Sequence, residues 1–274
     1  MISPTTSDWS SHPAEFRAYH APALELREVM HGLILNALAH MDRTKSVKTL
    51  CWTLGGPGQC AIKMEHHSIV LGAVDENQCR GLAGMTAALN YPGVIGPDLT
   101  AKWFTDQARE LGFQFLEPEP QRIYSISDRP RYPGAPGHAR TATIEDATVL
   151  ADWLLAFRQE AVPHDPIPSR EELEQAAREE RFLFWIVNGQ PVSMAAIVRR
   201  LKTSAAITGV YTPPELRGRC YAGSVTAATV ERINAEGRNT ACLYADLRNP
   251  ASNRCYAKIG FIPVCGSLHF HKTA

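Results

Sequence analysis

The chain has 274 residues, 45% hydrophobic and 20% charged, the balance of an ordinary globular protein with enough apolar material for one large or two small cores. Lys plus Arg and Asp plus Glu are both 28, so the net charge is zero; this excludes a polyanion-binding surface driven by bulk charge, and no nucleic-acid partner is expected. No apolar run approaches the roughly 18–20 residues of a membrane helix, and the opening MISPTTSDWSSH has no charged segment ahead of an apolar one, so neither a membrane partner nor a secretory signal is expected. The seven cysteines, at 51, 60, 79, 220, 242, 255 and 265, form no C-x-x-C pair and read as reduced, mostly core thiols of a cytoplasmic protein.

Residues 1–21 read as a poorly ordered lead. Leu26, Met30, Leu33, Ala37 and Met41 recur at helical spacing, which predicts a helix over residues 22–40 with Pro22 in its first turn. Strands follow over 48–54, 59–64 and 68–74. The cluster Gly55-Gly56-Pro57-Gly58 joins the first two as a hairpin connection, because it lacks the Gly-Lys-Ser/Thr ending of a phosphate-binding loop. Glu65, His66 and His67 are adjacent, poor spacing for converging on one metal, and read as a solvated turn; no metal is expected. Asp75 caps a helix to about residue 88, the Pro- and Gly-rich run 91–97 breaks it, and a further helix runs from Asp98 or Thr100 to Leu111, ended by Gly112. Residues 121–127 alternate as a strand.

The run DRPRYPGAPGH (128–138) has no periodicity and reads as a linker, which predicts domains over 1–130 and 138–274 joined by 131–137. Thr143-Ile144-Glu145-Asp146 resembles a capping box, opening a helix that buries Leu150, Trp153 or Leu154, and Phe157. After a stiff loop over 163–168, Ser169-Arg170-Glu171-Glu172 opens a second helix to about residue 180. Three strands follow, over 181–187, 191–200 and 203–211, the first two joined by the hairpin pair Asn188-Gly189.

Two strand-to-helix units then carry the chemistry. Arg217-Gly218-Arg219-Cys220-Tyr221-Ala222 lies between an apolar strand and a helix in which Ala222, Val225, Thr229 and Ile233 share a face and Gly237 ends the run. Free N–H groups, the helix dipole and two guanidinium charges suit a diphosphate better than a carboxylate, although the turn alone also reads as a tight connection with solvated arginines. In the last helix Asn249 is the N-cap and Pro250 the first helical residue. Asn249, Asn253 and Tyr256, spaced by 4 and 3, line one face, read as the exposed one. A phenol of pKa about 10 stays protonated at neutral pH and can act as a general acid, although alone it also reads as a half-buried Tyr.

Together the two units resemble the GNAT superfamily of N-acetyltransferases. Arg217-x-x-Cys220-x-Ala222 is similar to that family's Arg-x-x-Gly-x-Gly/Ala acyl-CoA pattern, and Asn249-Pro250-x-Ser252-Asn253-x-x-Tyr256-x-x-Ile259-Gly260-Phe261 to its second CoA motif. The resemblance covers residues 138–274, and the whole chain more distantly resembles proteins with a degenerate GNAT-like domain ahead of an active one. It implies an α/β fold (α+β, mixed sheet) of two tandem GNAT-like domains, the C-terminal one binding acyl-CoA. It implies that backbone groups of Val210, Tyr211 and Thr212 pair with the pantetheine arm, that Arg217, Gly218, Arg219, Cys220, Tyr221 and Ala222 hold the pyrophosphate, that Asn249 and Asn253 contact the pantetheine and ribose side, and that Tyr256 protonates the departing thiolate. Acetyl-CoA is then the cosubstrate, with no metal. A primary amine of a small molecule, amino acid or peptide is the acceptor, attacking directly, and the protein is a monomer or homodimer. The loop over 160–168 supplies the candidate bases Glu160, His164 and Asp165, with Glu215 and His269 weaker. Cys220 stands where the family has Gly; if its φ is positive the side chain costs on the order of 1 kcal/mol. A competing reading is a non-catalytic acyl-CoA-binding or regulatory module in which Cys220 marks a decayed site.

Overall fold

A computed structural model describes residues 12–41, 49–163 and 168–273. In chain order its elements are α1 (Pro13–Glu25), α2 (Gly32–Met41), β1 (Thr49–Thr53), β2 (Cys60–Met64), β3 (Ile69–Leu71), α3 (Glu76–Met85), β4 (Gly93–Pro97), α4 (Asp98–Glu110), β5 (Glu119–Ile126), β6 (His138–Thr141), α5 (Ala147–Ala161), α6 (Arg170–Arg178), β7 (Phe182–Val187), β8 (Gln190–Val198), β9 (Ser204–Tyr211), α7 (Tyr221–Ala235), β10 (Thr240–Asp246), α8 (Pro250–Ile259) and β11 (Ile262–His271). No helix of the described residues is long and apolar enough to cross a membrane. Two compact units divide the chain: Met1–Ile123 with Val264–Ala274, and Tyr124–Pro263.

The first unit is a mixed sheet in the order β1-β2-β3-β4-β11-β5. The chain's last strand folds here, antiparallel to β4 from Ser267↔Pro97 to His271↔Gly93. Trp52, Leu71, Leu82, Val94, Phe104 and Phe270 meet in its core. The expected Asp75 cap forms in full: the Gln78 N–H donates to Asp75 Oδ1 at 2.9 Å, and the Asp75 N–H donates to Gln78 Oε1 at 2.9 Å.

Three expectations fail in this unit. The supposed lead is helical from Pro13, because Phe16, His20 and Leu24, spaced by four, bury one stripe. The helix expected over 22–40 is two helices: Pro22 lies inside α1, without an N–H to donate, and Leu26, expected inward, is 85% exposed in the break that follows. The supposed breaker at 91–97 contains β4. Its glycines are there for close approach: a Cβ on Gly93 would lie 2.2 Å from the Phe270 carbonyl oxygen, and one on Gly96 2.8 Å from Leu71 Cβ. The Glu65-His66-His67 run is an exposed turn, closed by the His67 N–H to the Met64 carbonyl.

His20 ties α1 to the β1–β2 hairpin. The Gly58 N–H donates to its Nδ1 at 3.0 Å, so the proton sits on Nε2, which faces Thr53 Oγ1 at 2.9 Å. Burial pushes its pKa from 6.5 down to about 4; burial, then the Arg27 charge, does the same to His31. Between pH 6.5 and 4 the unfolded chain binds protons that both folded rings refuse. The stability they contribute is therefore whole above pH 6.5 and is lost as pH falls through 4. The urea midpoint should drop between pH 7 and 4.5, and His20→Gln should flatten that drop.

The second unit is a sheet in the order β10-β9-β8-β7-β6, with β9 and β10 parallel and the other pairs antiparallel. The Asn188-Gly189 turn adopts φ of 50° and 77°, the mirror-type turn that matches strand twist. Leu150, Leu154 and Leu173 of α5 and α6 pack with Phe184 and Met194, while Val225, Val230, Ile233 and Ile259 of α7 and α8 pack with Ile197, Ile207 and Leu243. The Ser169–Glu172 capping box forms as expected. Strand β6 begins at His138, the end of the run read as a linker. Residues 131–137 are themselves pinned: the Arg131 N–H donates to the Ile259 carbonyl, the Ala135 N–H to Ser224 Oγ at 2.7 Å, and Trp185 Nε1 to the Pro136 carbonyl.

Candidate active site

The site is built on a fork between two parallel strands. β9 and β10 pair from Ser204↔Thr240 to Ile207↔Leu243 and no further, although β9 runs on to Tyr211 and β10 to Asp246. On its other edge the β9 ladder is irregular: Ala196 faces Thr208 and Met194 faces Tyr211, so Gly209 and Val210 together oppose Ala195. This is a β-bulge. Gly209 takes φ +59°, the left-handed conformation that a side chain disfavours. Ser193 donates from Oγ to the Tyr211 carbonyl at 2.8 Å and lies 2.9 Å from Thr212 Oγ1, which fixes the strand beyond the bulge. The backbone of Val210 and Tyr211 thus lies where β9 has left its β10 ladder, and Thr212 follows directly.

Tyr256, expected on an exposed helix face, is instead buried in the core cluster that also holds Ile207 and Leu243, the last paired residues of β9 and β10. Ala245 belongs to the same cluster, and the Tyr256 ring is edge-on to Phe261 at 6.0 Å. Burial, then the Cys255 thiol, pushes its phenol far above the ordinary value, so it carries its proton at any physiological pH. Asn249 caps α8, accepting the Ser252 N–H at 3.1 Å. Asn253 donates from Nδ2 to the carbonyls of Asp246 at 2.8 Å and Asn249 at 2.7 Å, and its Oδ1 accepts the Tyr124 hydroxyl at 2.8 Å. Both asparagines thereby brace the end of β10 against α8. A ligand could reach Asn253 only through the second lone pair of Oδ1.

The turn before α7 has two residues in the left-handed region, Gly218 at φ +77° and Cys220 at φ +64°. Successive turns of this kind aim N–H groups at one point, as in anion-binding nests. The first helical N–H groups, of Tyr221, Ala222 and Gly223, have no acceptor among the described residues, and Cys220 supplies no side-chain cap. The positive φ at Cys220 strains a residue that has a side chain. Cys220→Gly should therefore raise stability by about 1 kcal/mol in urea melts while leaving the N–H array intact.

Arg217 does not reach outward as its charge suggested. Its Nε donates to the Thr212 carbonyl at 2.9 Å, its Nη2 to Glu160 Oε1 and Oε2 at 3.0 and 2.7 Å, and its guanidinium lies 5.8 Å from the centre of the Tyr211 ring. It is a strut from the end of α5 to the end of β9. Arg219 is exposed and, among the described residues, makes only a 3.5 Å contact, to the Glu215 carbonyl. Burial, then Glu160, pushes the Tyr211 phenol upward, and Glu215 adds to it, which places both carboxylates near the outer end of β9. His164 and Asp165 lie outside the described residues. His269 is on β11, in the first unit.

Four residues were not picked out from the sequence: Gly209, Ser193, Tyr124 and Tyr132. A glycine inside an apolar strand is a bulge signal, so Gly209 was open to recognition. Tyr132 carried no such signal. It packs on α7 so closely that a Cβ on Gly223 would lie 2.3 Å from its Cζ. Burial, then a hydrogen bond to Cys220 and the nearby Cys255 thiol, pushes its phenol upward.

Residues 185–267, which include the fork, the turn and α8, match the model of the FR47-like protein family. No curated protein sequence matches the chain. Among solved structures, a Drosophila protein is similar over 99% of this chain and 99% of its own, with a TM-score of 0.68 at 12% identity. A GCN5-related N-acetyltransferase from Sphaerobacter thermophilus is similar over 99% and 97%, with a TM-score of 0.65 at 14% identity. A GNAT-family acetyltransferase from Colwellia psychrerythraea is similar over 86% and 88%, with a TM-score of 0.53 at 11% identity. At these identities the likeness is one of fold, and it extends over both units.

Proposed function

We propose that this chain is a GNAT-type acyltransferase working by acyl-CoA-dependent N-acyl transfer: an acetyl group passes from acetyl-CoA to a primary amine of a small molecule, amino acid or peptide by direct attack. The observation that carries this reading is the fork, where β9 leaves β10 at Ile207↔Leu243 beside a glycine bulge, with a buried, protonated Tyr256 in the same core cluster. An open strand edge supports an extended amide chain by backbone pairing, so Val210, Tyr211 and Thr212 would take the pantetheine arm. The N–H groups from Gly218 to Ala222 would hold the pyrophosphate, with Arg219 as the nearby exposed charge. Arg217 would act by fixing the turn.

The amine attacks the thioester carbonyl carbon, the carbon–sulfur bond breaks, and the amine's surplus proton leaves to a base while sulfur gains one. Bulge N–H groups would polarise the carbonyl as negative charge gathers on its oxygen. Tyr256 would donate its hydroxyl proton to the departing sulfur. Burial holds a proton on the phenol and, by withholding water, also makes the thiolate more basic. Glu160, near the end of β9, is the described candidate for the base, directly or through water. Its carboxylate is paired with Arg217.

That pairing also favours a second reading, a non-catalytic acyl-CoA-binding module. Following free thiol in mixtures of protein, acetyl-CoA and a panel of amines separates the two. Amine-dependent thiol release above the hydrolytic background supports the transferase. Saturable CoA binding without turnover on any amine supports the binding module, and absence of both removes the CoA assignment.

A further inference from the structure

A second constellation lies wholly within the first unit. Glu119 opens β5, and His269 and His271 close β11, its neighbour in that unit's sheet. Two residues apart on a strand, the histidines share one face; their ring centroids are 3.9 Å apart. Glu119 Oε2 lies 3.7 Å from His269 Nδ1, and Glu119 Oε1 lies 3.3 Å from His271 Nε2. One ligand atom from each of the three falls within 4.8 Å of the others. The other nitrogen of His269, Nε2, is 3.0 Å from Ser68 Oγ. All three side chains are largely buried, with relative exposures of 11–14%.

We propose that Glu119, His269 and His271 bind one divalent ion of the zinc class, with solvent completing the shell. Two imidazole nitrogens and one carboxylate oxygen are a borderline donor set, suited to zinc, cobalt or nickel and poorly suited to calcium or magnesium, which take oxygen. Bonds of about 2.0–2.1 Å in a tetrahedron separate neighbouring donors by roughly 3.3 Å. The Glu119 Oε1–His271 Nε2 edge already has that length, while His269 Nδ1 lies 3.7 Å from the other oxygen, Oε2, so a small rotation of the carboxylate is needed to set one oxygen against both nitrogens. Ser68 stands where metal-bound imidazoles receive their orienting partner, on the ring nitrogen that does not face the ion. The ion clips the chain's last strand to β5. The proposal is independent of acyl transfer.

The test is a titration of the full chain, stripped with chelator and kept reduced, with cobalt(II) followed by its visible bands and zinc followed by competition with a chromophoric chelator. One ion per chain is expected, and zinc should raise the melting temperature. Glu119→Gln and His271→Asn should each weaken binding by more than about 100-fold, and Ser68→Ala, which removes no ligand, by about 10-fold. His66→Ala/His67→Ala should bind as wild type does. Circular dichroism of each metal-free variant establishes that it is folded, and Ser68→Ala and Glu119→Gln suffice if the histidine variants are not. Absence of saturable binding, or full affinity in folded His269→Asn/His271→Asn, as when the cysteines hold the ion, overturns the proposal.

Discussion

Tyr256→Phe is expected to lower kcat for acetyl transfer by roughly 10²–10⁴-fold, the usual contribution of a positioned general acid. The substitution keeps the ring that packs among Ile207, Leu243, Ala245 and Phe261 and removes only the hydroxyl. Stability should therefore change by no more than about 1 kcal/mol, and the affinity for CoA should stay within a few-fold, because the lost group acts on sulfur only as charge develops there. The pH profile is a second readout. Burial pushes the phenol above its ordinary pKa of about 10, so the wild-type rate should not decline through alkaline titration of Tyr256 below that pH. Steady-state kinetics of the two proteins, beside urea melts, check this. An unchanged kcat in the variant would remove Tyr256 from the chemistry.

Gly209→Val is expected to lower kcat/KM by about 100-fold or more, the scale of losing one preorganised donor to a developing oxyanion. Space is not the reason. A Cβ at Gly209 would meet Leu154 Cδ2 at 3.7 Å and Ala196 Cβ at 3.9 Å, both ordinary contacts. The barrier is conformational: φ of +59° costs a side chain roughly 1–2 kcal/mol, and a β-branched one more. The strand can avoid that cost only by giving up the bulge. Doing so shifts the register by one residue and turns Val210 and Tyr211 to opposite faces. A folded protein with a lower urea midpoint and little acyl transfer is the expected outcome. Wild-type activity in a variant that has lost about 1–2 kcal/mol would mean that the bulge braces the strand and nothing more.

The fold was legible wherever local chemistry decides local structure. Asn188-Gly189, the Ser169–Glu172 box, the Asp75 cap and Asn249-Pro250 each took the conformation their residue types prefer. Reading failed where a residue serves a distant neighbour. Gly93 and Gly96 look like breakers, yet they let β4 lie against β3 and β11. His20 looks polar, yet it is buried because Thr53 and Gly58 supply both of its partners.

The same division runs through the candidate site. The positive φ at Cys220 follows from its place in the turn and the cap from the residue type of Asn249, whereas helical spacing put Tyr256 on an exposed face and the core has claimed it. The fork does not, because a register shift is a property of two strands and neither sequence carries it alone. Arg217 has its partner 57 residues away, at Glu160, so its charge was visible while its direction was not. The Glu119–His269–His271 cluster is hidden for the same reason.

On the proposed reading, the fork and the turn after β9 hold acyl-CoA. Amide hydrogen exchange of the full chain, with and without saturating CoA, tests it most directly, alongside calorimetry to establish that CoA binds. One CoA per chain is expected, with slowed exchange confined mainly to residues 208–212, 217–223 and 244–249. No measurable CoA binding, or binding whose protection falls outside these segments, would contradict it.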